Sequence, residues 1–143
     1  MRIVSGKLIV PLGRARVVRE GSDVTLVAYG AMVPVAERAA DALAEEASVE
    51  LLDLRSLRPL DEPALLASAA KTGRVVVVQE APRTCGFAAE VAAVLAEKAI
   101  LDLRGPVLRV TGYDVPYPYW QLEDYYMPSP DRVVDAARKL LAY

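Results

Sequence analysis

The sequence predicts an α/β fold: a three-layer sandwich of about five strands, mostly parallel, with one antiparallel strand at an edge. Three observations carry this. Short apolar runs alternate with stretches of helical period, the pattern of strand–helix–strand units wound by right-handed crossovers. The run RVVVV (74–78) is apolar at all but its first position, as in a strand buried on both faces. And 143 residues with 54% hydrophobic content are enough to fill one core but too few for two.

Taken in order, residues 1–8 read as a tag, linker or disordered start, and 9–143 as a single domain. ARVVRE (15–20) and DVTLVAYG (23–30) flank Gly21-Ser22 and read as a hairpin. A helix follows over about Val33 to Ala47, with Met32, Ala36, Ala39, Ala40 and Leu43 on one face. VELLDL (49–54) is a strand. A second helix runs from about Glu62 to Lys71; Asp61 suits its N-cap, and Gly73 suits the left-handed position past its end. After the 74–78 strand, a third helix covers about Gly86 to Leu101, with Phe87, Val91, Val94 and Leu95 inward. PVLRVTG (106–112) is the last strand. Ser129 and Pro130 begin a final helix over about Asp131 to Ala142, whose buried stripe is Val133, Val134, Ala137, Leu140 and Leu141.

Composition excludes much chemistry. The chain has no histidine, so it has no Ser-His-Asp or Cys-His nucleophile system. One cysteine, Cys85, forms no internal disulfide and leaves zinc a poor ligand set. The net charge is −2 and the basic residues are dispersed, so no nucleic-acid partner is expected. The start, MRIVSGKLIVPLG, is too broken by Gly6 and Lys7 for a signal peptide, and no apolar run reaches membrane-span length. A cytoplasmic protein is expected, with no membrane partner.

The loop in VVVVQEAPRTCGFAAEVAA (75–93) lies between strand and helix, where α/β sheets bind ligands. Its chemistry argues against a phosphate. Only Gly86 stands where Gly-x-Gly-x-x-Gly or Gly-Lys-Ser/Thr is wanted, and Glu80 would repel an anion. The plain expectation is a tight connection with Glu80 paired to a base such as Arg83. Cys85, with no histidine as base, is expected to be a small buried residue. The carboxylates Asp53, Asp61, Glu80, Asp114, Glu123 and Asp124 stand at strand ends and in loops, and spacing selects no pair among them. No catalytic, cofactor-binding or metal-ligating residue is assigned.

GYDVPYPYWQLEDYYMP (112–128) holds five of the seven tyrosines and the only tryptophan. Pro116 and Pro118 exclude a helix or central strand around them, so a long extended connection is expected. Tyrosine and tryptophan combine apolar area with a polar tip, which suits an interface; packing on the chain's own sheet is the alternative.

PLGRARVVREGSDVTLVAYG, DLRSLRPLD, KTGRVVVVQEAPRTCGFAAEVAA, GPVLRVTGYDVPYP and the closing helix ending in LLAY stand in this order over roughly residues 9–143. Together they resemble the carboxy-terminal domain of the beta subunit of thiamine-diphosphate-dependent 2-oxo acid dehydrogenases, pyruvate and branched-chain type, in the transketolase superfamily. RVTGYDVPYP separates this family from deoxyxylulose synthases and plain transketolases. The resemblance implies a parent enzyme that decarboxylates a 2-oxo acid and acylates a lipoyl arm. Its thiamine diphosphate and magnesium would sit between the alpha subunit and the amino-terminal half of the beta subunit. This chain would bind no cofactor and be inactive alone, an expressed fragment or truncated reading frame that lacks that half.

Its implied work is subunit assembly with the alpha subunit and a second beta subunit, and docking of the acyltransferase's subunit-binding domain. In relatives an acidic residue in Leu-Glu-Ala-Pro and the terminal carboxylate meet basic residues of that domain. Here Leu103-Arg104-Gly105-Pro106 reverses the charge and Tyr143 supplies the carboxylate. The expected partner-binding residues are Tyr143, Arg104, Tyr113, Tyr117, Tyr119, Trp120, Glu123 and Asp124, with Asp131 a further acidic substitute. The competing reading is a stand-alone small-molecule or anion binder using the strand-end crevice near Gly30, Ala31 and Gly86.

Overall fold

The computed structural model describes residues 2–4 and 7–143. Of the stretch read as a tag, linker or disordered start, residues 1, 5 and 6 lie outside the described residues. Within it, β1 (Arg2–Val4) and β2 (Lys7–Ile9) pair antiparallel as a separate two-stranded sheet.

The main sheet has five strands: β3 (Arg16–Arg19), β4 (Val24–Ala28), β5 (Val49–Asp53), β6 (Val75–Pro82) and β7 (Leu108–Gly112). Their order is β3-β5-β4-β6-β7, all parallel except β3, which runs antiparallel to β5 at one edge. The predicted fold class is the observed one.

The predicted hairpin is not. β3 does not pair with β4. The turn after β3 crosses the start of β5: Ser22 N–H and Asp23 N–H both donate to Ser48 O, and Ser48 N–H donates to Asp23 Oδ2. A Cβ at Gly21 would fall inside the backbone of Val49 and Glu50. The glycine therefore permits a backbone crossing, and β4 enters the sheet on the far side of β5.

Two helices cover each face. One core joins α1 (Met32–Ala42) and α5 (Pro130–Leu141) to β4, β5, β6 and β7; the other joins α2 (Glu62–Thr72) and α3 (Phe87–Lys98) to the opposite face. Val24, Leu26 and Ala28 point to the first core and Val27 to the second, which is why β4 is apolar along most of its length. α1 stops at Ala42 instead of Ala47. Its C-terminal end carries Glu45 and Glu46 in place of bases, and residues 43–46 form turns. α2 starts as predicted, with Asp61 Oδ1 accepting from Ala64 N–H, and ends on left-handed Gly73 at φ 69°. Ser129 caps α5 by accepting from Arg132 N–H.

One buried cluster escaped the sequence reading. Thr25, Glu50, Ser68 and Thr72 lie between β4, β5 and α2, all fully or almost fully buried. Thr25 Oγ1 bonds Ser68 Oγ and Thr72 Oγ1, each at 2.9 Å; Ser68 donates to Glu50, whose second oxygen meets Lys71. These bonds fasten α2 to the sheet and balance the buried carboxylate.

Candidate functional site: the carboxyl ends of β4, β6 and β7

β4 and β6 lie side by side, and their outgoing connections lead to opposite faces of the sheet, to α1 and α3. Such a divergence opens a crevice at the strand ends. Gln79, fully buried within β6 (Val75–Pro82), fills it. Its Oε1 accepts from Ala88 N–H at 2.6 Å and from Tyr29 Oη at 3.1 Å. Its Nε2 donates to Ala81 O at 3.2 Å and Pro82 O at 2.8 Å. Ala88 N–H is one of the orphan donors in the first turn of α3. An amide from the preceding strand thus holds the place where an anion would sit, and the glycine loop is scaffold. A Cβ at Gly86 would strike Gln79 Nε2 and Pro82 O, so the glycine makes room for the amide.

Two local expectations fail here. Glu80 is exposed, and among the described residues it forms no ion pair with Arg83, whose Nη1 donates to Arg109 O instead. Cys85 is exposed, not buried: it occupies a left-handed turn at φ 58° just before α3 and faces no part of the core.

Beyond Gln79 opens a shallow cleft of about 370 Å³, lined by Tyr29, Glu80, Ala81, Pro82, Val115, Tyr117 and Tyr126. Tyr126 is its anchor. It is 4% exposed and lies on a short helix, α4 (Glu123–Tyr126), which interrupts the segment expected to be extended throughout. The Tyr113 and Tyr117 rings meet Tyr126 edge-on at 6.5 and 4.9 Å. A Cβ at Gly112 would lie 2.6 Å from Tyr126 Oη, so this glycine seats the ring against the end of β7. Partial desolvation, then Glu123, Glu80, Tyr126 and Asp124, hold the Tyr117 phenol above its ordinary pKa. Burial and Glu80 do the same to Tyr29. The cleft is aromatic-walled with an acidic rim.

The other carboxylates are engaged locally. Asp61 caps α2 and also accepts from Ala15 N–H; Asp53 accepts from Arg55 N–H. Asp114 accepts from Thr84 N–H and Oγ1–H, which hold its carboxyl below the usual range. Among the described residues no three His, Cys, Asp or Glu side chains lie close enough to hold a metal ion, and no helix is long and apolar enough to cross a membrane. With no such cluster, the residues at these strand ends do not fit a magnesium ion.

The structure divides the eight expected partner-binding residues between two ends of the sheet. Tyr113, Tyr117, Tyr119, Trp120, Glu123 and Asp124 follow β7. Tyr119 is 92% exposed and Trp120 80%; Leu122 and Tyr125, which the sequence reading did not single out, join them as an uncovered ledge. Arg104, before β7, and Tyr143, after α5, lie at the opposite end. The Arg104 side chain covers Gly73, and the Tyr143 ring lies beside Gly105. Ile100 and Leu101, both exposed, continue that second surface. The sequence held no signal separating buried Tyr126 from exposed Tyr125; the short helix α4 turns these neighbours to different sides.

Residues 13–133 match the family model described as transketolase, C-terminal domain. The chain belongs to this family. This transketolase C-terminal domain is 51% identical over 135 residues to the pyruvate dehydrogenase E1 component subunit beta of Leifsonia xyli, covering 94% of the chain and 40% of that protein. It is 44% identical to the Bacillus subtilis protein of the same name, with 94% and 42% covered. It is also 45% identical to the mitochondrial 2-oxoisovalerate dehydrogenase subunit beta 2 of Arabidopsis thaliana, covering 94% of the chain and 38% of that protein. The domain thus spans about two fifths of the length of these relatives. A solved split-gene transketolase, an inactive beta4 tetramer, superposes with a TM-score of 0.83 at 35% identity, over 99% of this chain and 46% of that one. A 2-oxoglutarate:ferredoxin oxidoreductase from Magnetococcus marinus shares the fold alone, with a TM-score of 0.57 at 17% identity over 90% of the chain and 19% of that one.

Proposed function

We propose that the domain is the assembly and docking part of a 2-oxo acid dehydrogenase beta subunit. The single observation that carries this reading is the exposed run of Tyr119, Trp120, Leu122 and Tyr125, next to the buried Tyr126. Contiguous exposed aromatics of this kind suit a surface that is covered in an assembly. The relatives bearing dehydrogenase beta-subunit names support the assignment of the parent activity. In that parent, thiamine diphosphate and magnesium are held outside this domain, and the isolated chain decarboxylates nothing.

The ledge packs against the alpha subunit or a second beta subunit. The opposite end, with Arg104, Ile100, Leu101 and Tyr143, receives the subunit-binding domain of the acyltransferase. Charged contacts make that second association sensitive to salt. The test is calorimetric titration of the chain with the alpha subunit and, separately, with the subunit-binding domain of a bacterial pyruvate dehydrogenase complex. Binding at low ionic strength that weakens with added salt is expected for the subunit-binding domain. Absence of heat with both partners, for a folded chain, overturns the reading.

A further inference from the structure

We propose that the groove along the free edge of β7 is an anion site that takes a phosphate-class group. β7 is the last strand of the sheet, and α5 runs beside it. The groove between them measures about 320 Å³, and its charged lining is Arg83, Arg109, Arg132 and Lys139 against the single carboxylate of Asp135. None of the four cations forms an ion pair among the described residues, in a chain whose net charge is −2. Asp114, which lies near Arg83, is already committed to Thr84.

Arg132 supplies the second observation. Its Nη2 donates to Thr111 O at 2.7 Å and its guanidinium lies 4.8 Å from the Tyr113 ring centroid, yet its buried Nη1 has no acceptor among the described residues. A buried charged donor without a partner calls for an explanation, and an anion in the groove would balance its charge.

The edge itself excludes another occupant. Arg109 O and Thr111 O, two residues apart on β7, are taken by the guanidinium groups of Arg83 and Arg132. An added β-strand needs those carbonyls. The cations meanwhile come from three elements: the loop after β6, β7 itself, and two turns of α5. Donors converging from several directions match the tetrahedral oxygens of a phosphate better than the planar pair of a carboxylate, which one guanidinium fork satisfies.

The test is titration of the 143-residue chain with pyrophosphate at constant ionic strength, followed by amide NMR shifts and calorimetry. Shifts confined to β7, the 83–85 loop and α5 are expected. Arg109→Gln and Lys139→Glu should each weaken binding about tenfold or more, as expected for losing a charge-assisted contact. Arg38→Glu, on α1, changes the net charge away from the groove and should leave it intact. Lys139 is exposed, so its variant should fold even where Arg109→Gln does not; circular dichroism checks both. Absence of binding, or equal loss in Arg38→Glu, overturns the site. Citrate binding as tightly as pyrophosphate overturns the phosphate assignment.

Discussion

Replacing Gln79 by alanine tests the account of the β6–α3 connection. Four hydrogen bonds disappear from a fully buried position. Tyr29 is half-buried, and the Ala81 and Pro82 carbonyls lie near the surface, so these groups can turn to water at small cost. Ala88 N–H cannot, because Ala88 is completely buried. Leaving that donor orphaned costs about 1–3 kcal/mol. The void left by the side chain adds about 1 kcal/mol. A total near 3 kcal/mol is a large part of the roughly 5–15 kcal/mol that holds a domain together.

It should lower the urea midpoint by about 2 M for an m-value of about 1.5 kcal/mol/M, and Tm by about 10 °C. Urea unfolding followed by circular dichroism reads this directly. Gln79→Glu sharpens the test. Its carboxylate can accept from Ala88 N–H but faces the Ala81 and Pro82 carbonyls, which favours the protonated acid in the folded state. A folded pKa raised in this way makes the variant lose stability as pH rises. A loss below about 1 kcal/mol in Gln79→Ala, or a Gln79→Glu stability independent of pH, would refute the reasoning.

Other outcomes follow from the same geometry. Gly112→Ala should collide with the Glu80 backbone carbonyl as well as the Tyr126 ring and cost about 1–3 kcal/mol, with faster proteolysis within residues 113–127 as the second readout. Trp120, the only tryptophan and 80% exposed, should fluoresce at a solvent-exposed wavelength and shift to the blue when a partner covers the ledge. Glu20, Glu46 and Asp114 are each held below their ordinary pKa by hydrogen bonds from Lys71, Arg138 and Thr84 respectively. Their contribution is present above the unfolded pKa and lost as pH falls through the lower folded one, so stability should be flat near neutrality and fall below about pH 4. Asp114→Asn should reduce that acid-side loss. Ser68→Ala should cost about 1–3 kcal/mol by stripping a donor from buried Glu50, measured by the same urea titration.

Periodicity and local capping were legible because each acts within a few residues. Asp61, Gly73 and Ser129 perform the roles their neighbours imply. Strand pairing was not, because the Gly21–Ser22 turn reads alike whether the chain folds back on itself or crosses another strand; the deciding contacts come from Ser48 to Glu50. Gln79 reads as a polar interruption in an apolar run, and its meaning depends on Ala88 and Tyr29, which folding brings to it. The burial of Glu50 and Thr25 likewise depends on Ser68, Thr72 and Lys71, which α2 brings to them. The aromatic segment was legible in composition alone. Which rings turn inward was decided by the bare Gly112 backbone that receives Tyr126.

The placement of the two outward surfaces has a consequence of its own. The ledge follows β7 and the Arg104–Tyr143 surface lies at its other end, so one five-residue strand, about 17 Å long, separates them. That strand is packed against α5 on one face, and the two proposed partners would be held at its opposite ends. In the role proposed above, the domain is a ditopic spacer that keeps its two neighbours about one strand length apart.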